Sequence, residues 1–152
     1  MSKLPVLLFM VFGVVPSLAA GAQPNIVLIM TDDLGWADLT SYGAPDIRTP
    51  NIDSLARDGV RMTDFYSNGV LCTPTRAGFI SGRYQQRYGM ETALPNEAQA
   101  QSRGLQANGL TLPQQMRDAG YATALIGKWH LGDRPDQSPN AHGFDYFFGL
   151  KS

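Results

Sequence analysis

Apolar positions fall in a repeating order along the chain. Asn25-Ile26-Val27-Leu28-Ile29-Met30 is a continuous β-rich run, the pattern of a strand covered on both faces. It stops at Thr31-Asp32-Asp33-Leu34-Gly35-Trp36. Thr49-Pro50 reads as an N-cap followed by proline at the first helical position, opening a helix with Ile52, Leu55 and Ala56 on one face and a stop at Gly59. Val60 to Tyr66 alternates, with Val60, Met62 and Phe65 inward, and predicts a second strand. Thr111-Leu112-Pro113-Gln114 fits a capping box with an early proline. The helix it opens runs to Ala119, with Gly120 as its stop. Tyr121 to Ile126 then predicts a third, buried strand. Strand, helix, strand, helix, strand implies βαβ units and an α/β fold with a mainly parallel sheet flanked by helices. Gly43 to Arg48 and Tyr84 to Asn108 read as loops, with Asn96 to Arg103 exposed. Aromatic residues crowd the last ten positions with no helix after them, so the sheet is expected to be incomplete.

The N-terminus has a different character. Lys3, an apolar run from Leu4 to Val15 and the small residues Ala19-Ala20-Gly21-Ala22 predict a signal peptide over residues 1–22 and export to the periplasm or the exterior. An uncleaved anchor is the competing reading, and Pro16 argues against it. The run is too short to span a bilayer, so no stable membrane insertion is expected. Loss of Lys3 takes the formal charge from −1 to −2, which gives no reason to expect nucleic acid as a partner. Cys72 is the single cysteine. An exported chain with one thiol cannot close an internal disulfide, so Cys72 is buried, paired with another molecule or used for chemistry.

Three polar clusters interrupt the apolar pattern: Asp32/Asp33, Cys72 with Arg76, and Lys128 with His130. The first and third each follow a predicted strand, and parallel sheets gather strand ends at one edge. Adjacent carboxylates are costly there without a cation, and their oxygens suit Ca²⁺ or Mg²⁺. Lys128 and His130 offer a cation for an anionic oxygen and a titratable proton donor. Cys72 precedes a predicted helix start near Thr75, where unpaired N–H groups favour anions. Each cluster alone also fits ordinary structure, as a turn cap, a small buried hydrophobe or a surface ion pair. Together they point to hydrolysis of a sulfate or phosphate ester.

Cys72-Thr73-Pro74-Thr75-Arg76 resembles the C-x-P-S/T-R signature of sulfatases, in the alkaline-phosphatase-like superfamily. Pro24 to Asp33 is similar to that family's opening strand and first metal ligands. Gly127-Lys128-Trp129-His130-Leu131-Gly132 resembles its second signature, and His142 to Gly149 the segment that follows. Residues 23–152 thus look like the N-terminal part of a sulfatase catalytic domain. The resemblance implies that a maturation enzyme oxidises Cys72 to formylglycine, whose hydrate attacks sulfur and then expels sulfate. It further implies that Asp32, Asp33 and the hydrated Cys72 side chain bind Ca²⁺, with Mg²⁺ second. Arg76 would hold that side chain, Lys128 would contact sulfate oxygens, and His130 would assist proton transfer. Thr75 stands where Ser is commoner, and Phe79-Ile80-Ser81-Gly82-Arg83 replaces the usual Leu-Leu-Thr-Gly-Arg.

The substrate implied is a sulfated small molecule or carbohydrate, with aryl and carbohydrate sulfates equally open. A phosphodiesterase or phosphonate monoester hydrolase can share the signature and the carboxylate pair. A truncated, non-catalytic fragment that at most binds sulfated ligands is the alternative from another class.

Overall fold

The computed structural model describes residues 23–94, 103–107 and 109–151. The expected signal peptide and most of the Asn96–Arg103 loop lie outside the described residues. The chain divides into two units, Met1–Thr31 and Asp32–Ser152.

In the first unit, Asn25 to Met30 is not a strand. It has no regular secondary structure, and Ile26, Val27, Leu28 and Ile29 are exposed. A strand exists only through its ladder, and no neighbour pairs with this run among the described residues.

Among the described residues, the second unit carries three α-helices and two strands: α1 (Pro50–Asp58), α2 (Cys72–Ser81), α3 (Leu112–Asp118), β1 (Ala124–Lys128) and β2 (Tyr146–Leu150). The strands pair in parallel with Ala124 opposite Tyr146 and Lys128 opposite Leu150. Of the three expected strands, only the third forms, shifted to begin at Ala124. Its partner comes from the aromatic segment, which the sequence pattern did not mark as a strand. Val60 to Tyr66 is irregular and exposed, again with no ladder neighbour among the described residues.

The helices form where their end signals stand. Thr49 precedes α1, but its hydroxyl donates to Asp53 Oδ1 at 3.0 Å and accepts from Thr40 N at 3.0 Å instead of from a backbone N–H of the helix. Asp53 in turn accepts from Ser41 N at 2.9 Å. Ile52 and Leu55 remain exposed, so the expected apolar face of α1 is uncovered by the described residues. Thr111 does cap α3, accepting from Gln114 N at 3.4 Å while its own hydroxyl donates to His142 O.

The core gathers Ala77 and Ile80 of α2 with Met90, Leu94, Leu105, Trp129 and Leu131. Leu125 and Phe147, paired across the two strands, pack against it, whereas Ile126 and Phe148 face outward. The sheet is therefore covered on one face by the described residues, not on both as expected. Trp129 organises the crossover between the strands. Its Nε1 donates to Gln137 O at 2.8 Å, and its ring meets His142 at 5.3 Å and Phe144 edge-on at 6.3 Å. Such offset aromatic contacts add to the burial of apolar area. Gly127 and Gly149 face each other in the ladder, so close that a Cβ on Gly149 would collide with the Gly127 carbonyl oxygen.

Candidate active site

Helix α2 begins at Cys72 itself, three residues earlier than expected. Leu71 is the extended residue before it, at φ −136° and ψ 163°. Pro74 falls in the first turn, where N–H groups lack intrahelical partners, so its missing donor costs nothing. This start puts residue 72 on the first turn and Arg76, four residues on, on the same face. The turn is latched by Asn68, whose Nδ2 donates to Pro74 O at 3.1 Å and to Gln85 Oε1 at 2.8 Å. Gln85 Nε2 returns a bond to Asn68 O at 2.9 Å. Asn68 fits against the helix only because residue 78 is glycine; a Cβ there would run into its amide.

The second half of the site leaves the end of β1. Parallel pairing continues past the strand, with Trp129 N donating to Leu150 O and His130 N to Lys151 O, both at 2.8 Å. His130 then takes a left-handed conformation at φ 58°, uncommon without glycine. That turn separates Lys128 from His130: one side chain goes to Asp32 and the other to Cys72.

Cys72 Sγ lies 3.1 Å from His130 Nδ1. The other ring nitrogen, Nε2, lies 3.3 Å from Leu94 O. A carbonyl only accepts, so Nε2 carries a hydrogen, and in the neutral form of the ring the Nδ1 lone pair faces residue 72. Arg76 Nη1 donates to Lys128 O at 2.6 Å, and its Nη2 reaches Asp32 Oδ1 at 3.3 Å. Lys128 Nζ lies 2.8 Å from Asp32 Oδ2. The hydrogen bond from Lys128, assisted by Arg76, holds the Asp32 carboxyl below its ordinary range, and the same bond raises the Lys128 ammonium above its own. Two cations against one carboxylate leave a net positive cluster on the Cys72 side of α2, suited to the oxygens of a tetrahedral anion. Arg76 Nε is buried with no hydrogen-bond partner among the described residues.

Five of the six expected site residues thus fall into two bonded sets, Cys72 with His130 and Asp32 with Arg76 and Lys128. Asp33 is exposed and left-handed at φ 59°, and no side-chain partner for it occurs among the described residues. No group of three or more His, Cys, Asp or Glu side chains able to hold a metal is present among the described residues. The carboxylate donors suit a hard cation by type, and the Lys128 ammonium already stands against Asp32 as a cation would. Two further participants have no signal as site residues in the sequence. Thr73 is fully buried, its hydroxyl donating to His130 O at 3.0 Å and accepting from Leu94 N at 3.2 Å. Leu94 contributes through its backbone alone. No helix of the described residues is long and apolar enough to cross a membrane.

Comparison with known proteins identifies the family. The Sulfatase family model matches residues 24–152. Human arylsulfatase D is 46% identical over 97% of this chain and 27% of its own length. The crystal structure of Ps i-CgsB superposes with a TM-score of 0.80 at 39% identity, covering 85% of this chain and 28% of that one. The PsFucS1 sulfatase from Pseudoalteromonas sp. gives a TM-score of 0.69 at 37% identity, over 81% of this chain and 25% of that one. These neighbours have the alkaline-phosphatase-like α/β fold, of which this chain holds a small parallel sheet and its flanking helices. The chain spans about a quarter of the length of these relatives. With a family match over residues 24–152 and relatives such as arylsulfatase D at 46% identity, the chain belongs to the sulfatase family.

Proposed function

We propose that this chain carries the nucleophile half of a centre that hydrolyses sulfate esters. The observation that carries the reading is the 3.1 Å approach of Cys72 Sγ to His130 Nδ1, beside Arg76 and Lys128. Residue 72 acts as formylglycine, made from Cys72 by a formylglycine-generating maturation enzyme, and the 1–22 signal peptide directs export. One hydroxyl of the hydrated aldehyde attacks sulfur and displaces the alcohol or phenol, and deprotonation of the second hydroxyl expels sulfate and restores the aldehyde, which water rehydrates. His130 Nδ1, with its lone pair toward residue 72, receives the proton of a hydroxyl placed there. Lys128 and Arg76 neutralise the sulfate oxygens, and Arg76 also fixes the geometry by bonding the Lys128 carbonyl. Asp32 and Asp33 are the residues that would hold Ca²⁺, which supplies charge neutralisation at the reacting sulfate when bound. The substrate is a sulfated carbohydrate or an aryl sulfate. The relative's name arylsulfatase D supports the second choice without excluding the first.

Mass spectrometry of the peptide containing residue 72, after co-expression with a formylglycine-generating enzyme, tests the central step. Conversion of the thiol to aldehyde is expected, and it should be absent in Cys72→Ala. An unmodified thiol under those conditions would remove the nucleophile and with it the reading. Comparing aryl sulfate with aryl phosphonate hydrolysis by the matured protein separates a sulfatase from a phosphonate monoester hydrolase.

A further inference from the structure

Thr73 and Leu94 make a closed set of contacts with His130. Leu94 N donates to Thr73 Oγ1 at 3.2 Å, Thr73 Oγ1 donates to His130 O at 3.0 Å, and His130 Nε2 meets Leu94 O at 3.3 Å. Both hydrogen-bonding capacities of a fully buried hydroxyl are spent on this ring, and both backbone groups of Leu94 belong to it. The ring closes on a residue held left-handed, at φ 58°, a conformation that persists only where its surroundings impose it. The backbone N–H of His130 is fixed separately by Lys151 O at 2.8 Å. Thr73 and Lys151 therefore hold the two main-chain polar groups of one left-handed residue.

We infer that Thr73 is a positioning residue that sets the tautomer of His130 through Leu94. The hydroxyl carries no charge and touches neither Sγ of Cys72 nor the Asp32 cluster. Its effect is to hold Leu94 where the carbonyl of that residue can accept from Nε2. With the hydrogen fixed on Nε2, the Nδ1 lone pair is aimed at residue 72. Loss of the hydroxyl frees Leu94 N and His130 O together, and the carbonyl that selects the tautomer moves with its own N–H. Serine preserves the ring because it keeps the same oxygen. The use of the lone pair in catalysis rests on the function proposed above, whereas the tautomer rests on geometry alone and is measured without turnover.

The sequence contains two histidines, and they are expected to be opposite tautomers. His142 Nδ1 lies 2.8 Å from Ser138 O, so its hydrogen sits on Nδ1. Long-range ¹H–¹⁵N correlation spectra of the ¹⁵N-histidine-labelled chain, at one neutral pH, distinguish the two patterns. The wild type and Thr73→Ser should both show His130 protonated on Nε2, and Thr73→Val should show an averaged His130 beside an unchanged His142. Thr73→Ala reads the same way without added volume if valine prevents folding, which loss of the His142 pattern would report. A wild-type His130 protonated on Nδ1 would overturn the inference, as would a His130 pattern unaffected by Val or Ala. Loss of the His130 pattern in a folded Thr73→Ser would also refute it. Unfolding of both hydroxyl-free variants would make Thr73 a purely structural residue and equally end its assigned role.

Discussion

Lys128 Nζ and Asp32 Oδ2, ninety-six positions apart in sequence, meet at 2.8 Å, and Arg76 reaches the same carboxylate from one turn further along α2 than Cys72. Asp32 therefore holds both cations of the pocket in place. Its charge decides how much positive field is left for an incoming anion, and its oxygens decide whether a metal can replace the ammonium.

Asp32→Asn should move the two affinities in opposite directions. Inorganic sulfate should bind a few-fold more tightly, because Lys128 and Arg76 are no longer neutralised, a change of about 0.5–1 kcal/mol for such partly exposed charges. Ca²⁺ binding should fall. Isothermal titration with each ion reads both effects, and parallel changes would show that the carboxylate does not mediate between them.

The pair also gives the stability of the protein a defined pH profile. The Asp32 carboxyl titrates below its unfolded value of 3.8, so its contribution is present above that value and is lost as pH falls through the lowered one. Lys128 titrates above 10.5, so its contribution is full below that value and is lost as pH rises through the raised one. The side chains are 42% and 28% exposed, so solvent limits the contribution to about 1 kcal/mol or less. Urea unfolding of wild type and Asp32→Asn should differ at pH 7 and converge in acid. A constant difference would place the effect elsewhere.

Gly78→Ala should destabilise the site's own helix. The added methyl displaces Asn68, which frees the Pro74 carbonyl and breaks the exchange with Gln85. A loss of roughly 1–3 kcal/mol is expected from overpacking. Pairing it with Asn68→Ala in a double-mutant cycle should recover part of that loss. Strict additivity of the two changes would mean that the collision is absorbed without moving Asn68.

Gly149→Ala brings a methyl against the Gly127 carbonyl and should part the two strands near their end. Denaturant midpoints should fall by the equivalent of roughly 1–3 kcal/mol. Trp129 lies at the end of the disturbed ladder, so its fluorescence should change as well. An unshifted midpoint would mean that the ladder can widen freely at this pair.

The sequence signals that succeeded are chemically local. Thr49-Pro50 and Thr111-Leu112-Pro113-Gln114 mark helix starts through groups a few residues away, and both helices form there. Cys72, Arg76, Lys128, His130 and Asp32 were legible because charged and reactive side chains punctuate an apolar chain. Strands were harder, because a run such as Asn25 to Met30 specifies apolarity and not its neighbour. Tyr146 to Leu150 was missed for the opposite reason: Gly149 inside the run lowers its strand character, yet that glycine permits the close pairing with Gly127. The start of α2 lies at Cys72 and not near Thr75, since Pro74 in the first turn is compatible with the helix. Thr73 carried no mark of its role, since what matters is a bond to a carbonyl, and Leu94 takes part through atoms that every residue type shares.

The left-handed backbone at His130 restricts which side chains the position could exchange for imidazole. Asparagine and glycine accept that conformation, whereas valine, isoleucine and threonine would have to unwind the turn after β1. A screen of substitutions at 130 should therefore separate into two groups by shape. Asparagine should keep the protein folded while removing the ring, and β-branched residues should lose the turn together with the chemistry. Only the first group isolates what the imidazole contributes.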